Sequence, residues 1–119
     1  MPVQEEQRTI LVVDDTPENL TVAVGLLNSD YRVKVARSGA RALEIAAAEP
    51  HPDLVLLDIM MPGMDGYAVC RVLKADPDLA HIPVIFCTAR TRTDDVVRGF
   101  SLGAADYVTK PFRPEELRA

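Results

Sequence analysis

A single carboxylate ends the most apolar segment of the chain. The run LVLL at residues 54–57 leads directly into Asp58, and a Pro62-Gly63 pair follows. A continuous apolar run bounded by a turn is typical of a strand that is buried on both faces of a parallel sheet. An ionised carboxylate at the end of such a strand costs roughly several kcal/mol unless a cation or hydrogen-bond donors compensate it. The sequence therefore predicts that Asp58 has partners elsewhere in the chain.

Other polar residues follow the other predicted strands, where a doubly wound parallel sheet places its binding site. Asp14 and Asp15 follow the first strand, Thr88 follows the fourth and Lys110 follows the fifth. Neighbouring strands lie about 4.8 Å apart. A strand order of 2-1-3-4-5 would therefore bring these residues and Asp58 into one pocket.

Strand and helix patterns alternate along the chain. Apolar residues recur at helical spacing after Thr16-Pro17, and Ser38 is the predicted N-cap of a second helix. The predicted strands cover 9–13, 31–36, 54–58, 82–88 and 106–109, and the predicted helices cover 17–27, 39–49, 67–75 and 94–103. This alternation predicts an α/β fold: a doubly wound, five-stranded parallel sheet of flavodoxin-like order, with the second strand at its edge.

Three carboxylates held close together repel one another, and one lysine cannot neutralise them. A divalent cation that prefers oxygen ligands completes such a site, and Mg²⁺ suits it best. A carboxylate beside Mg²⁺ can attack an activated phosphorus, because phosphoryl transfer depends mainly on positioning and charge stabilisation. The thioethers of Met60, Met61 and Met64 are too soft for this cation, and we expect these side chains to fill the loop and a partner surface.

Composition excludes several classes of function. The formal net charge is -5 and the sequence pI is about 4.9, so direct binding to nucleic acid or to an anionic membrane is not expected. No apolar run approaches the ~20 residues of a membrane span, and the N-terminus does not resemble a secretory signal. These features predict a cytoplasmic protein. We expect Cys70 and Cys87 to be ordinary buried thiols.

The ends of the chain differ from the rest. Residues 1–8 are predicted to be a flexible tail and residues 9–119 one domain. After Pro114 only residues 115–119 remain, fewer than the ~12 to 15 at which a lone helix becomes marginal. We expect a truncated fifth helix, with a natural short tail as the alternative. Apolar surface left uncovered by that helix would favour association, so a homodimer is a further hypothesis.

The chain resembles the receiver domains of two-component response regulators, chemotaxis regulators among them. The resemblance extends over nearly the whole length and rests on five segments at the ends of the predicted strands. These are LVVDD at 11–15, LLDIMMPGMDG at 56–66, CTA at 87–89, GAADY at 103–107 and TKPF at 109–112.

The resemblance implies a role for each acidic residue. Asp58 is expected to accept a phosphoryl group as an acyl phosphate, from a sensor histidine kinase, a phosphotransfer protein or a small phosphodonor. Asp15 and Asp58 are expected to bind Mg²⁺ directly, together with the backbone carbonyl of Met60, and Asp14 is expected to act mainly through water. Such a domain assists its own phosphorylation and dephosphorylation without being an enzyme.

The resemblance also implies a switch. Thr88 and Lys110 are expected to hold the transferred oxygens, and Tyr107 is expected to turn inward when Thr88 moves toward them. The surface of the fourth helix and fifth strand then changes shape for an output domain or a downstream protein. A cis peptide bond is expected between Lys110 and Pro111.

Three other functions fit parts of the pattern. A flavin- or nucleotide-binding domain would need a glycine-rich phosphate loop, whereas Asp-Asp-Thr-Pro follows the first strand. An aspartyl phosphatase would usually have a second acid two residues after Asp58, where this chain has Met60. A binding module that is never phosphorylated is also compatible with the fold, although every catalytic position is filled. Individually, Thr88 and Lys110 would be read as a strand-end hydroxyl and a surface charge, and Tyr107 as core packing.

Overall fold

The computed structural model describes residues 7–87 and the backbone of residues 88 and 106–109. Five strands and three helices lie in these ranges, in the order that the sequence predicts. They are β1 Thr9–Val13, α1 Pro17–Leu27, β2 Arg32–Ala36, α2 Gly39–Ala47, β3 Leu54–Asp58, α3 Gly66–Ala75, β4 Val84–Thr88 and β5 Asp106–Thr109. The predicted fourth helix, the C-terminal segment and the Lys110–Pro111 bond lie outside the described residues.

The strands form one parallel sheet in the order β2-β1-β3-β4-β5. The predicted order and the edge position of β2 are therefore confirmed. The chain passes from β1 to an edge at β2 and then returns past β1 to β3, so strand order reverses between β1 and β3. Val13 is the register partner of Leu57, which sets the ends of these two strands side by side.

Apolar side chains cover both faces of the sheet. Along β1, Leu11 and Val13 join a buried cluster with α2 and α3, whereas Ile10 and Val12 join a second cluster with α1. Successive side chains of a strand point to opposite faces, so a strand buried on both faces needs an unbroken apolar sequence. The apolar runs in β1 and β3 follow from this requirement.

The helix ends differ from prediction by one or two residues. Ser38 caps α2 as predicted, accepting a hydrogen bond from the Arg41 N–H at 3.2 Å, but the helix ends at Ala47 rather than at residue 49. Asp65 caps α3 by accepting from the Ala68 N–H at 2.9 Å, so α3 begins at Gly66, one residue earlier than predicted. Within residues 7–88, none of the helices has the length and apolarity needed to cross a bilayer.

The amino ends of β1 and β3 are joined by hydrogen bonds that the sequence analysis did not predict. The Asp53 carboxylate accepts a hydrogen bond from the Thr9 N–H at 2.8 Å, and the Asp53 N–H donates to the Thr9 carbonyl at 2.8 Å. The Arg8 carbonyl accepts from the Arg32 N–H at 2.8 Å, so the backbone pairing already includes the last residue of the predicted tail. These bonds fix where β1 enters the sheet.

The two cysteines lie in opposite clusters of the core. Cys70 packs with α2 and α3 and Cys87 with α1, and both are buried thiols. Burial raises the pKa of the Cys70 thiol above its ordinary value, and the nearby Lys74 ammonium lowers it by less. Because the thiolate is the reactive form, both thiols should be inert in the folded protein.

We expect neither cysteine to react with iodoacetamide at pH 8 in native buffer, and both to react in urea. Intact-mass spectra before and after denaturation measure this. Above the ordinary thiol pKa the unfolded chain releases the Cys70 proton while the folded chain retains it, so stability should fall as the pH rises. Rapid labelling of Cys70 in native buffer would contradict its buried position.

Candidate functional site

Three aspartates meet at the carboxyl edge of the sheet. Asp14 and Asp15 follow β1, and Asp58 ends β3. One carboxylate oxygen from each lies within 4.8 Å of the other two. The predicted convergence of the three carboxylates is confirmed, and it follows from the adjacency and register of β1 and β3.

Asp14 is the most enclosed member of this acidic cluster, with 1% of its surface exposed. Its Oδ1 accepts a hydrogen bond from the Thr16 N–H at 2.9 Å, and its Oδ2 accepts from the Asn19 side-chain amide at 3.2 Å. The Asp14 N–H donates to the Ala36 carbonyl at 3.0 Å, which continues the pairing with β2. Both oxygens of Asp14 are thus held by the start of α1.

Asp58 lies where β3 meets its loop, with 4% of its surface exposed. The Met60 N–H donates to the Asp58 carboxylate at 3.3 Å, and the Ile59 N–H donates to the Cys87 carbonyl at 3.3 Å. The carboxylate therefore lies at the first turn of the β3–α3 loop. Asp15 is half-buried beside it.

The β3–α3 loop brings the start of α3 against the backbone of Asp58. The Gly66 N–H donates to the Ile59 carbonyl at 2.9 Å. A Cβ at Gly66 would overlap the Asp58 carbonyl oxygen and lie 2.8 Å from the Ile59 Cα, so only glycine permits this approach. Gly63 has a φ of 77°, in the left-handed region that glycine adopts without strain.

Two methionines of this loop occupy different environments. Met60 is 64% exposed, whereas Met61 is buried in the cluster of α2 and α3. The expectation that Met61 fills a partner surface is therefore wrong, because its side chain packs in the core. An open groove of about 400 Å³ lies along the loop and is lined by Ile59, Met60, Met61, Pro62 and Asp65.

The remaining predicted site residues lie in or beyond β4 and β5. Asp58 is the register partner of Cys87, so the backbone of Thr88 is one residue past it on the neighbouring strand. Thr88 pairs with Thr109, and Tyr107 pairs with Phe86. The backbone register thus brings Thr88 to the edge where the acidic cluster lies. Lys110 lies outside the described residues.

Asn19 is a site residue that the sequence analysis missed. It is the third residue of α1 after the N-cap Thr16, whose own side chain makes no capping hydrogen bond. The third helical position is where a side chain commonly reaches back toward the helix start. An Asn at this position, five residues after a buried Asp, was the available signal.

Comparison with known proteins gives the family. The family model described as "Response regulator receiver domain" matches residues 10–119. The chain belongs to this family.

Relatives of this receiver domain include longer proteins. It is 53% identical over 105 residues to the "Probable cyclic di-GMP phosphodiesterase" of Vibrio cholerae, covering 88% of this chain and 24% of that protein. It is 49% identical over 116 residues to the DNA-binding response regulator MtrA of Mycolicibacterium smegmatis, covering 95% of this chain and 48% of MtrA. The chain thus spans less than half the length of these relatives.

Solved structures share the fold of this receiver domain. The Vibrio cholerae chemotaxis protein CheY4 superposes with a TM-score of 0.88 at 26% identity, over 94% of this chain and 93% of CheY4. The Mn²⁺-bound form of the response regulator Rcp1 superposes with a TM-score of 0.79 at 30% identity, over 92% of this chain and 86% of Rcp1. The doubly wound, flavodoxin-like receiver fold is therefore confirmed.

The close approach at Gly66 can be tested by mutation. We expect Gly66→Ala to destabilise the domain by about 2 kcal/mol, because the added methyl group displaces α3 from the Asp58 backbone. Gly25→Ala is the matched control, since a Cβ at Gly25 on the exposed face of α1 meets nothing within 4 Å. The free energy of unfolding of Gly25→Ala should rise by roughly 0.5–1 kcal/mol. Urea unfolding measures both, and a Gly66→Ala variant as stable as wild type would contradict the packing.

Proposed function

We propose that this receiver domain is phosphorylated on Asp58 in a Mg²⁺-dependent reaction and that phosphorylation controls an output. The observation that carries the proposal is the acidic cluster itself: three carboxylates with oxygens within 4.8 Å, two of them buried. Repulsion between like charges and the cost of desolvation make such a cluster unfavourable unless a cation is bound at least part of the time. The family resemblance supports the same assignment.

The donor set suits a hard divalent cation. Asp15 and Asp58 would bind Mg²⁺ directly, the Met60 carbonyl would add a third protein oxygen, and Asp14 would act through water. Mg²⁺ prefers six oxygen ligands and keeps several waters, which matches one or two direct carboxylates. The Mn²⁺-bound structure of Rcp1 supports a divalent site in this family. When bound, the cation offsets the charge of the carboxylates and of an incoming phosphoryl group.

Asp58 is the best candidate nucleophile of the three. Both oxygens of Asp14 are held by hydrogen bonds from α1, which suits an orienting role. Asp58 ends β3, and the two residues that follow it, Ile59 and Met60, line the open loop groove. One of its oxygens would attack phosphorus while the bond to the donor breaks: P–N in a phosphohistidine, with the imidazole taking a proton, or P–O in acetyl phosphate, with acetate leaving. The product is an acyl phosphate on Asp58.

Thr88, Tyr107 and Lys110 form the proposed switch. Thr88 and Lys110 would donate hydrogen bonds to the phosphoryl oxygens, and Tyr107 would turn inward as Thr88 moves. The parallel register of β4 and β5 supports this grouping, because it pairs Thr88 with Thr109, the residue before Lys110. The changed surface of the fourth helix and fifth strand would then be read by a partner.

The proposed partners are of two kinds. A sensor histidine kinase or a phosphotransfer protein would supply the phosphoryl group. An output domain or a downstream protein would respond, as suggested by relatives that are two to four times longer and carry names of DNA-binding and phosphodiesterase proteins. The net charge of -5 disfavours direct nucleic-acid binding by this domain. A cytoplasmic location and a homodimer stay predictions; light scattering would test the homodimer.

Phosphoacceptor identity is testable with acetyl phosphate and Mg²⁺. We expect the wild-type chain to gain the mass of one phosphoryl group, labile to acid and base, and Asp58→Asn to gain none because its amide is not a nucleophile. Asp76→Asn is the matched control. It makes the same change at the far end of α3, where Asp76 accepts from the Asp78 N–H and an amide oxygen can also accept.

Intact-mass spectra record the labelling, and urea unfolding shows whether each variant is folded. Asp76→Asn should be labelled like wild type. Equal labelling of wild type and Asp58→Asn would refute the assignment of Asp58.

The role of Lys110 is tested separately. We expect Lys110→Ala to bind Mg²⁺ with an affinity within about threefold of wild type but to lose the response of the fourth helix to phosphorylation, because one donor to the phosphoryl oxygens is removed. Amide NMR spectra with and without acetyl phosphate measure the response. Phosphorylation-induced shifts that match those of wild type would count against the switch.

A further inference from the structure

The first turn of α1 departs from the usual capping arrangement. In a capping box, the third helical residue reaches back to the N–H of the N-cap. Here the Thr16 N–H already donates to Oδ1 of Asp14 at 2.9 Å, and the third helical residue, Asn19, donates its amide to Oδ2 of the same carboxylate at 3.2 Å. The hydrogen bonds of the helix start are therefore directed to a member of the acidic cluster.

The type of residue at position 19 matters for this contact. An Asn side chain supplies an N–H donor without charge, whereas Glu, the usual capping-box residue, would place a fourth carboxylate against Asp14. Asp14 is 1% exposed, so its charge is poorly screened by solvent. A neutral donor at this point adds a hydrogen bond without adding charge, and together with the Thr16 N–H it contacts both oxygens of the carboxylate.

We propose that Asn19 is a positioning residue for the metal centre, acting through Asp14. This inference rests on the proposed function, because it assigns Asn19 to the Mg²⁺ site that phosphorylation of Asp58 requires. By holding Oδ2 of Asp14, the Asn19 amide keeps the carboxylate oriented toward Asp15 and Asp58. Metal affinity then depends on a side chain that is not itself a metal ligand.

A purely helical role for Asn19 makes a different prediction. An acidic residue in the first turn of a helix interacts favourably with the helix dipole. If Asn19 served only the helix, Asn19→Asp would leave the melting temperature unchanged or raise it. A positioning role predicts the opposite in the absence of Mg²⁺, because the new carboxylate faces Asp14.

The test uses the 119-residue chain with Asn19→Ala, Asn19→Asp and the control Thr21→Ala. Thr21 lies on the exposed side of the same helix, where its hydroxyl donates to the Pro17 carbonyl at 3.1 Å. Calorimetric titration with MgCl₂ gives the affinity, thermal melts in EDTA give the metal-free stability, and acetyl phosphate labelling at saturating Mg²⁺ gives the rate.

We expect Asn19→Ala to bind Mg²⁺ about tenfold more weakly, as the loss of one hydrogen bond to a charged group implies, and to be labelled within twofold of wild type at saturating Mg²⁺. Asn19→Asp should melt roughly 4 °C lower in EDTA. Thr21→Ala should match wild type in affinity and rate.

Two results overturn the positioning role alone: wild-type Mg²⁺ affinity in Asn19→Ala, or an unchanged or raised melting temperature of Asn19→Asp in EDTA, while the wild-type chain binds Mg²⁺ and is labelled. If the wild-type chain neither binds Mg²⁺ nor is labelled, the proposed function fails and the role of Asn19 fails with it. The two failures are therefore distinguished by the wild-type measurement.

Discussion

Mutual repulsion among three neighbouring carboxylates is the constraint on which the rest of this domain depends. Two unit charges 4 Å apart near a protein surface interact by about 4 kcal/mol, and burial adds a desolvation cost for each. One carboxylate oxygen of each of Asp14, Asp15 and Asp58 lies within 4.8 Å of the other two, a separation close to this one. The fold must therefore supply both a rigid frame that keeps the carboxylates together and donors that make the arrangement tolerable.

The frame comes from the centre of the sheet. The apolar strands β1 and β3 are buried on both faces and paired in register, so neither carboxylate-bearing end can move without disturbing two core clusters. The donors come from the segments that follow these strands. The start of α1 directs two N–H groups to Asp14, and the β3–α3 loop directs the Met60 N–H to Asp58. The strands that form the core thus also set the positions of the site carboxylates.

The patterns that repeat along the chain were predictable. The unbroken apolar run at 54–57 predicted β3, the alternation of strand and helix patterns predicted a parallel sheet with β2 at its edge, and Ser38 predicted the start of α2. The strand order followed from connection rules together with the need to gather the acidic residues at one edge. Helix ends were less accurate, since the N-cap Asp65 starts α3 one residue before the predicted position.

Features that depend on tertiary contact were not predictable. Predicting the approach of Gly66 to Asp58 requires knowing how closely α3 returns to β3, and predicting the burial of Met61 requires knowing how the loop packs on the core. Asn19 and Asp53 each act on a residue from another element, and periodicity carries no information on such pairs. The family resemblance implied which residues would bind a metal but gave no indication of Asn19.

A crystal structure of the chain grown with MgCl₂ and beryllofluoride tests the central claim most directly. The account predicts beryllofluoride on a carboxylate oxygen of Asp58, with Mg²⁺ between Asp15 and Asp58 and in contact with the Met60 carbonyl. Density for beryllofluoride on another residue, or three aspartates that point apart with no cation between them, would contradict it.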